Sequence, residues 1–301
     1  FDIHKEFGGV VPELAARSHV EKIDLIAKKA INESGVNLND VSAIAATSGP
    51  GLIVCLTIGL NFGKALSASL NVPFIGVNHL EGHALSPRLS TKLDFPYLLL
   101  LISGGHSQYL SVEGLGSYKR LGTTIDDALG EAFDKTAKLL GIEFPGGPQI
   151  EVLAEKGDPN KYQLPKPIFN KGGCNLSFAG LKTAILKVSK NIENEQDKFD
   201  IAASFQQAIS DVLVAKIKKS IETTGRKEVI IAGGVAANKF LRSEFKKLEE
   251  SHNIKVYYPD LKYCGDNAAM IAFVGSMMKP SIENDRSSSA RARWPLDELK
   301  A

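Results

Sequence analysis

The chain has 301 residues, 44% hydrophobic and 23% charged, enough apolar material for two cores rather than one. Thirty-six Lys and Arg against 34 Asp and Glu leave a net charge of +2, so no global basic field marks a nucleic-acid binder and any such contact must come from a local patch. Cys55, Cys174 and Cys264 stand far apart in no Cys-x-x-Cys arrangement, which argues against a disulfide framework or a cysteine zinc site and fits a reducing compartment.

The chain opens on Phe1 with a loop-like stretch to Gly9, and the natural protein is expected to begin earlier; no signal peptide is visible. Pro12 starts a helix with Leu14, Ala15, Val20, Ile23, Ile26, Ala27 and Ala30 at helical spacing, closed by Gly35. Val41 to Thr47 reads as a buried strand, followed by Ser48-Gly49-Pro50-Gly51 and a small-residue helix to Leu70. Phe74 to Val77 is the next strand and leads into a helix beginning at His79. Tyr97 to Ile102 is apolar at every position, as in a central strand covered on both faces, and is far too short to span a bilayer. Strands at Gln108–Val112 and Tyr118–Leu121 complete a meander before a helix from Ile125 to Leu140. Asp158 to Gly173 is rich in Pro, Asn, Lys and Gly and reads as an exposed loop. Helices near Ala179–Ser189 and Ile201–Thr223, a strand Glu228–Ile231, a Gly233-Gly234 turn, a helix, a strand Lys255–Tyr258 and a final helix from about Asp266 follow. Ser281 to Ala290 is serine-rich and expected to be mobile. Alternating strands and helices make this an α/β protein.

Four residues of helix turn through roughly 400°, so His79 and His83 share a face at metal-ligand spacing, although two solvent-facing or core histidines would give the same pattern. The pattern is not that of zinc proteases, because Glu81 lies about 200° around the helix from His79. Three glycine turns, Ser103-Gly104-Gly105-His106, Gly146-Gly147-Pro148 and Ala232 to Asn238, offer backbone N–H groups to a phosphate, and together they point to a nucleotide. Gly59 to Lys64 fails as a Walker loop because Ala65 follows the lysine; Gly59 and Gly63 read as close-packing positions. Asp127, Glu131 and Asp134, at i, i+4 and i+7, are expected on one helix face, either solvated or lining a cleft. Asp266 sits at a helix N-terminus, where capping explains it, yet it could equally complete a two-histidine, one-carboxylate metal site.

These segments together resemble the universal family that makes N6-threonylcarbamoyladenosine in tRNA, formerly described as glycoproteases, and within it the bacterial TsaD branch. The resemblance runs from Gly8-Gly9-Val10-Val11-Pro12-Glu13-Leu14-Ala15 to Arg293-Trp294-Pro295-Leu296, through Asn78 to His83, Ile102 to His106, Asp126 to Lys135, Gly146 to Pro148, Phe178 to Lys182, Gly233 to Asn238 and Asp266-Asn267.

It implies a two-lobed, actin-like (sugar kinase, Hsp70, ribonuclease H-like) fold with nucleotide between the lobes. Residues 1–95 would be the N-terminal lobe, 96–280 the C-terminal lobe with its last helix packing back, and 281–301 a mobile tail. The implied reaction moves the threonylcarbamoyl group of L-threonylcarbamoyladenylate to N6 of adenosine 37 in tRNAs reading ANN codons, releasing AMP. By resemblance, His79, His83 and Asp266 bind one Fe2+ or Zn2+; Leu101, Ile102, Ser103, Gly104 and Gly105 lie against the phosphate and acyl end; Asp134 meets the ribose; and Gly147, Glu151 and Asn238 meet the nucleotide. His106, Asp127 and Glu131 are secondary candidates. Implied partners are tRNA, TsaB as a heterodimer across the helix after Pro12, the ATPase TsaE and a separate synthase supplying the adenylate; a cytoplasmic location with no membrane is expected. Two departures stand out. Leu101 occupies the position of a metal-reaching tyrosine in archaeal and eukaryotic relatives, and the family's N-terminal Glu-Thr-Ser-Cys-Asp segment, a candidate source of the general base, is absent ahead of Phe1. Without that segment the chain is expected to bind nucleotide poorly. A kinase or ATPase of the same fold, a metalloprotease and a non-enzymatic scaffold are the alternatives.

Overall fold

A computed structural model describes residues 4, 7, 9–278 and 286–299. Two parallel strands, β1 (Ile44–Gly49) and β2 (Phe74–Asn78), form a small sheet. Five more, β3 (Tyr97–Ile102), β4 (Ser107–Gly114), β5 (Ser117–Thr123), β6 (Glu228–Ala232) and β7 (Lys255–Tyr257), form a mixed sheet in the order β5-β4-β3-β6-β7. The antiparallel meander β3-β4-β5 needs only short turns, whereas the parallel steps from β3 to β6 and from β6 to β7 enclose helices, as parallel pairing requires. The helices are α1 (Pro12–Ser34), α2 (Ile53–Leu70), α3 (His79–Leu85), α4 (Leu129–Leu139), α5 (Gly147–Ala154), α6 (Ala179–Ser189), α7 (Glu195–Thr224), α8 (Lys239–His252) and α9 (Ala268–Met277).

β3 organises the interior. All six of its residues are buried, and they alternate between two cores: Leu98, Leu100 and Ile102 join the layer of α4 to α8, while Tyr97, Leu99 and Leu101 join α3 and α9. β6 splits the same way, with Val229 and Ile231 on one side and Ile230 and Ala232 on the other. A period of two with both faces apolar is what a sheet covered on both sides demands, each fully buried Leu or Ile contributing about 1.5–3 kcal/mol. α9 packs against α3, β1 and β2, which brings the end of the chain to the histidine helix.

Several elements depart from the sequence reading for identifiable reasons. The helix expected from Ile125 starts at Leu129, because the Asp126 carboxylate is drawn away to accept from Ser177 Oγ (2.5 Å) and the Phe178 and Ala179 amides. Asp127 therefore lies before the helix and not on its face. α9 begins at Ala268 with Asn267 as its cap (Oδ1 to Met270 N, 2.9 Å), so Asp266 is not a capping residue. Gly63 packs as expected, since a Cβ there would stand 3.0 Å from Phe74, but Gly59 has open space around its Cα. α2, not β3, is the most membrane-like segment: 18 residues with a mean hydropathy of 1.5, long and apolar enough by composition to cross a bilayer. Its buried residues Leu60, Gly63 and Ser67 face the small sheet, and α1 lies against it.

Of the tail expected to be mobile, 281–285, 300 and 301 lie outside the described residues. Residues 286–299 instead form a strap across the small sheet. Arg291 N donates to Ser48 O (2.8 Å), Ala292 O accepts from Gly51 N (3.3 Å), and Leu296 is fully buried.

Candidate metal centre and adjoining cleft

β2 ends at Asn78, whose Oδ1 accepts from Leu80 N (2.8 Å) and Glu81 N (3.3 Å) and so caps α3 at once. That cap fixes where the helix begins, and hence which way His79 and His83 point. Their rings meet edge to face with centroids 4.8 Å apart. Asp266 enters from the loop ahead of α9, its Oδ1 3.3 Å from His79 Nε2 and 3.0 Å from His83 Nε2. His83 is buried, His79 is mostly buried, and the Asp266 side chain is 77% exposed toward the cleft. Burial alone would raise the Asp266 pKa; hydrogen bonding and charge from the two imidazoles override it and hold the carboxylate well below the ordinary range.

One ligand atom from each residue lies within 4.8 Å of the other two. Ligands at about 2.0–2.2 Å from a tetrahedral ion sit roughly 3.3–3.6 Å apart, so the two separations to Asp266 Oδ1, 3.3 and 3.0 Å, come near that spacing, and the donor set suits a divalent transition ion. Glu81 is excluded as a base for this centre. It is fully buried on the far side of α3, where Oε1 accepts from Gly116 N and Tyr118 Oη, both at 2.8 Å, and burial raises its pKa. Glu81 therefore cannot serve as the general base of a metalloprotease at this centre.

The turn after β3 is tied by Ser103 N to His106 O (2.8 Å) and His106 N to Ser103 Oγ (3.1 Å). Among the described residues, the Gly104 and Gly105 amides have no acceptor, and a Cβ at either would meet nothing within 4 Å. This is an open pair of donors. His106 lies beside the histidine pair, its pKa lowered by burial and then by the charges of His79 and His83. Leu101 and Ile102 are fully buried in opposite cores and present no side chain to the cleft.

Beyond Gly104, whose backbone touches Gly130 of α4, a pocket of about 170 Å3 is lined by Phe133, Asp134, Gly147, Glu151, Gly234 and Asn238, among others. Three of the expected residues have prior tasks in it. Asp134 Oδ1 accepts from Gly146 N (2.8 Å), with a pKa raised by burial. Glu151 Oε1 accepts from Lys239 N (2.7 Å), and Asn238 caps α8 through Leu241 N (2.9 Å) while donating to Gln206 Oε1 (2.9 Å). Asp127 and Glu131 do not face this pocket as free acids, since Lys135 Nζ lies 2.7 Å from each.

A larger cleft of about 640 Å3 opens on the other side of the centre, lined by His79, Asp266, Gly51, Leu52, Gly59 and Met270, among others. Glycines and apolar side chains dominate this wall. Asn78 and the strap escaped the sequence reading as parts of the site, although both fell inside segments of the resemblance. Trp294 O accepts from Asn78 Nδ2 (3.0 Å), tying the strap to the cap of the histidine helix.

These features define an α/β protein with a three-residue set that could hold a cation, between a glycine-lined pocket and an open cleft. A family profile described as TsaD, tRNA N6-adenosine threonylcarbamoyltransferase, matches residues 1–273, and the chain belongs to that family. It is 65% identical over 303 residues to the tRNA N6-adenosine threonylcarbamoyltransferase of Pelagibacter ubique (strain HTCC1062), covering 98% of this chain and 85% of that protein. It is 49% identical over 306 residues to the protein of the same name from Rickettsia massiliae (strain Mtu5), covering 98% and 89%. Crystal structures of HypF share the fold alone: full-length HypF in a phosphate- and nucleotide-bound form (TM-score 0.59, 15% identity, 80% of this chain, 40% of that one) and T. kodakarensis HypF (0.63, 16%, 82% and 42%).

Proposed function

We propose that this protein transfers the threonylcarbamoyl group of L-threonylcarbamoyladenylate to N6 of adenosine 37 in tRNAs reading ANN codons, with release of AMP. The observation that carries this reading is 65% identity, over nearly the whole chain, to a protein named for that transfer. The site supports it. The His79–His83–Asp266 set, the Gly104 and Gly105 amides and the Asp134–Gly147 pocket follow one another along the molecule, matching an acyl group, a phosphate and a nucleoside in that order. In this reading the fold is the two-lobed actin-like one, with lobes at 1–95 and 96–280.

The adenylate is already activated, so positioning and charge stabilisation suffice. The N6–carbon bond forms, the carbon–oxygen bond to phosphate breaks, and AMP leaves with the electron pair while the amine proton passes to water. Gly104 and Gly105 donate to the departing phosphate, and Asp134 and the Gly147 backbone hold the nucleoside. His79, His83 and Asp266 hold one Fe2+ or Zn2+, which when bound supplies Lewis-acid polarisation of the acyl oxygen. TsaB pairing along α1 and α2, an ATPase partner TsaE, a separate synthase supplying the adenylate and a cytoplasmic location belong with this reading.

Full-length protein with its partners, threonylcarbamoyladenylate and unmodified tRNA should yield threonylcarbamoyladenosine by mass spectrometry; no product sinks the assignment. His79→Ala should lower metal content at least about tenfold and activity on the order of 100-fold. Full activity with retained metal would sink the ligand set.

A further inference from the structure

The strap carries Arg286, Arg291 and Arg293, and its two acids, Asp297 and Glu298, come only at its end. Arg286 is occupied, donating to Ser67 O (3.1 Å). Arg291 and Arg293 are exposed. Arg291 lies over the Trp294 ring with 4.6 Å to its centroid, a preorganised cation–aromatic pair, and Arg293 has no ion-pair partner among the described residues. The nearest acid along the described strap, Asp297, is neutralised by Arg120 at 3.2 Å.

The place of these cations is fixed by backbone. Ala292 O holds Gly51 of the open cleft wall, Trp294 O holds the cap residue preceding His79, and a Cβ at Gly49 would drive into the Arg291 carbonyl. Two guanidinium groups with no ion pair among the described residues therefore stand close to the rim of the cleft that contains His79 and Asp266. The wall below them is mostly glycine and aliphatic, and its one carboxylate, Asp266, is engaged by His79 and His83.

We propose that Arg291, Arg293 and Trp294 form a docking edge for the sugar–phosphate backbone of the tRNA, with Arg293 on a phosphate and the Arg291–Trp294 pair offering a stacking surface beside it. The proposal rests on the transferase reading, since only that reading brings RNA to this cleft. Guanidinium groups suit phosphate, and planar cation–aromatic pairs suit unstacked bases of a loop. A net charge of +2 on the whole chain is no obstacle, because docking needs only this local rim.

The test is equilibrium binding of unmodified tRNA to the full chain with its partners, as a function of salt, for wild type, Arg293→Glu, Arg291→Ala and the control Lys190→Glu, with metal content measured on each. Arg293→Glu should weaken binding at least about tenfold and reduce the log–log salt slope by about 1, with metal content unchanged and the control near wild type. Wild-type affinity and slope in Arg293→Glu, or an equal loss in Lys190→Glu, would overturn the docking edge. If wild type binds tRNA but forms no product, and Arg293→Glu still weakens binding, the transferase reading fails while the docking edge stands.

Discussion

Asp126 shows how one side chain can move an element boundary. Burial tends to raise its pKa, but the Ser177 hydroxyl and the Phe178 and Ala179 amides outweigh that and hold it below the ordinary aspartate value. A depressed carboxylate pKa means that the stabilisation is complete above about pH 3.9 and is lost as pH falls through the lowered folded-state value. Asp126→Ala should cost about 1 kcal/mol at pH 7, after discounting a charge-assisted bond for its exposure, and the gap between variant and wild type in thermal melts should close toward pH 3. The same residue explains a misreading. Periodicity assigned 125–128 to the helix, and nothing local reveals a partner 51 residues away in sequence. The histidines were legible because i, i+4 spacing is a local property; Asp266, 183 residues from His83, stood from its residues alone as either a cap or a third ligand, and only the resemblance favoured the ligand.

At the scale of elements, the glycine turn after β3 depends on a glycine in its neighbour. A Cβ on Gly130 would stand 2.7 Å from Gly104 Cα and 2.9 Å from Ser103 O, both backbone atoms. Gly130→Ala should displace this turn by several tenths of an ångström and raise KM for the adenylate several-fold or more, with a smaller change in melting temperature, as measured by steady-state kinetics and calorimetry. β3 itself was readable because six consecutive apolar residues bounded by turn signals leave little else to be. The side-chain engagements of Glu151 and Asn238 were not readable, because each depends on how α5, α7 and α8 meet.

The whole molecule carries one long helix without a core. α1 has 23 residues and none is buried; Val20, Leu25 and Ile26 are more than 60% exposed, and Leu52, Ile53 and Val54 continue the apolar surface beside it. Such a face is expected to be covered by a partner, and TsaB is the partner proposed here. Ile26→Asp should abolish a heterodimer in size-exclusion chromatography while leaving metal content intact; an undisturbed heterodimer would remove this face from the interface. Helical periodicity made α1 legible as a helix but could not say that it packs on α2 and joins neither core.

The bond between Asn78 and Trp294 also sets an order of assembly. The two residues are 216 apart, so at 5–20 residues per second the ribosome delivers the second on the order of 10–40 s after the first. For most of that interval the nascent histidine helix lacks its carboxylate companion, 183 residues past His83, and for all of it the carbonyl that steadies its cap. The proposed three-ligand set can therefore be complete only after translation has passed Asp266 and, with its cap tied, Trp294.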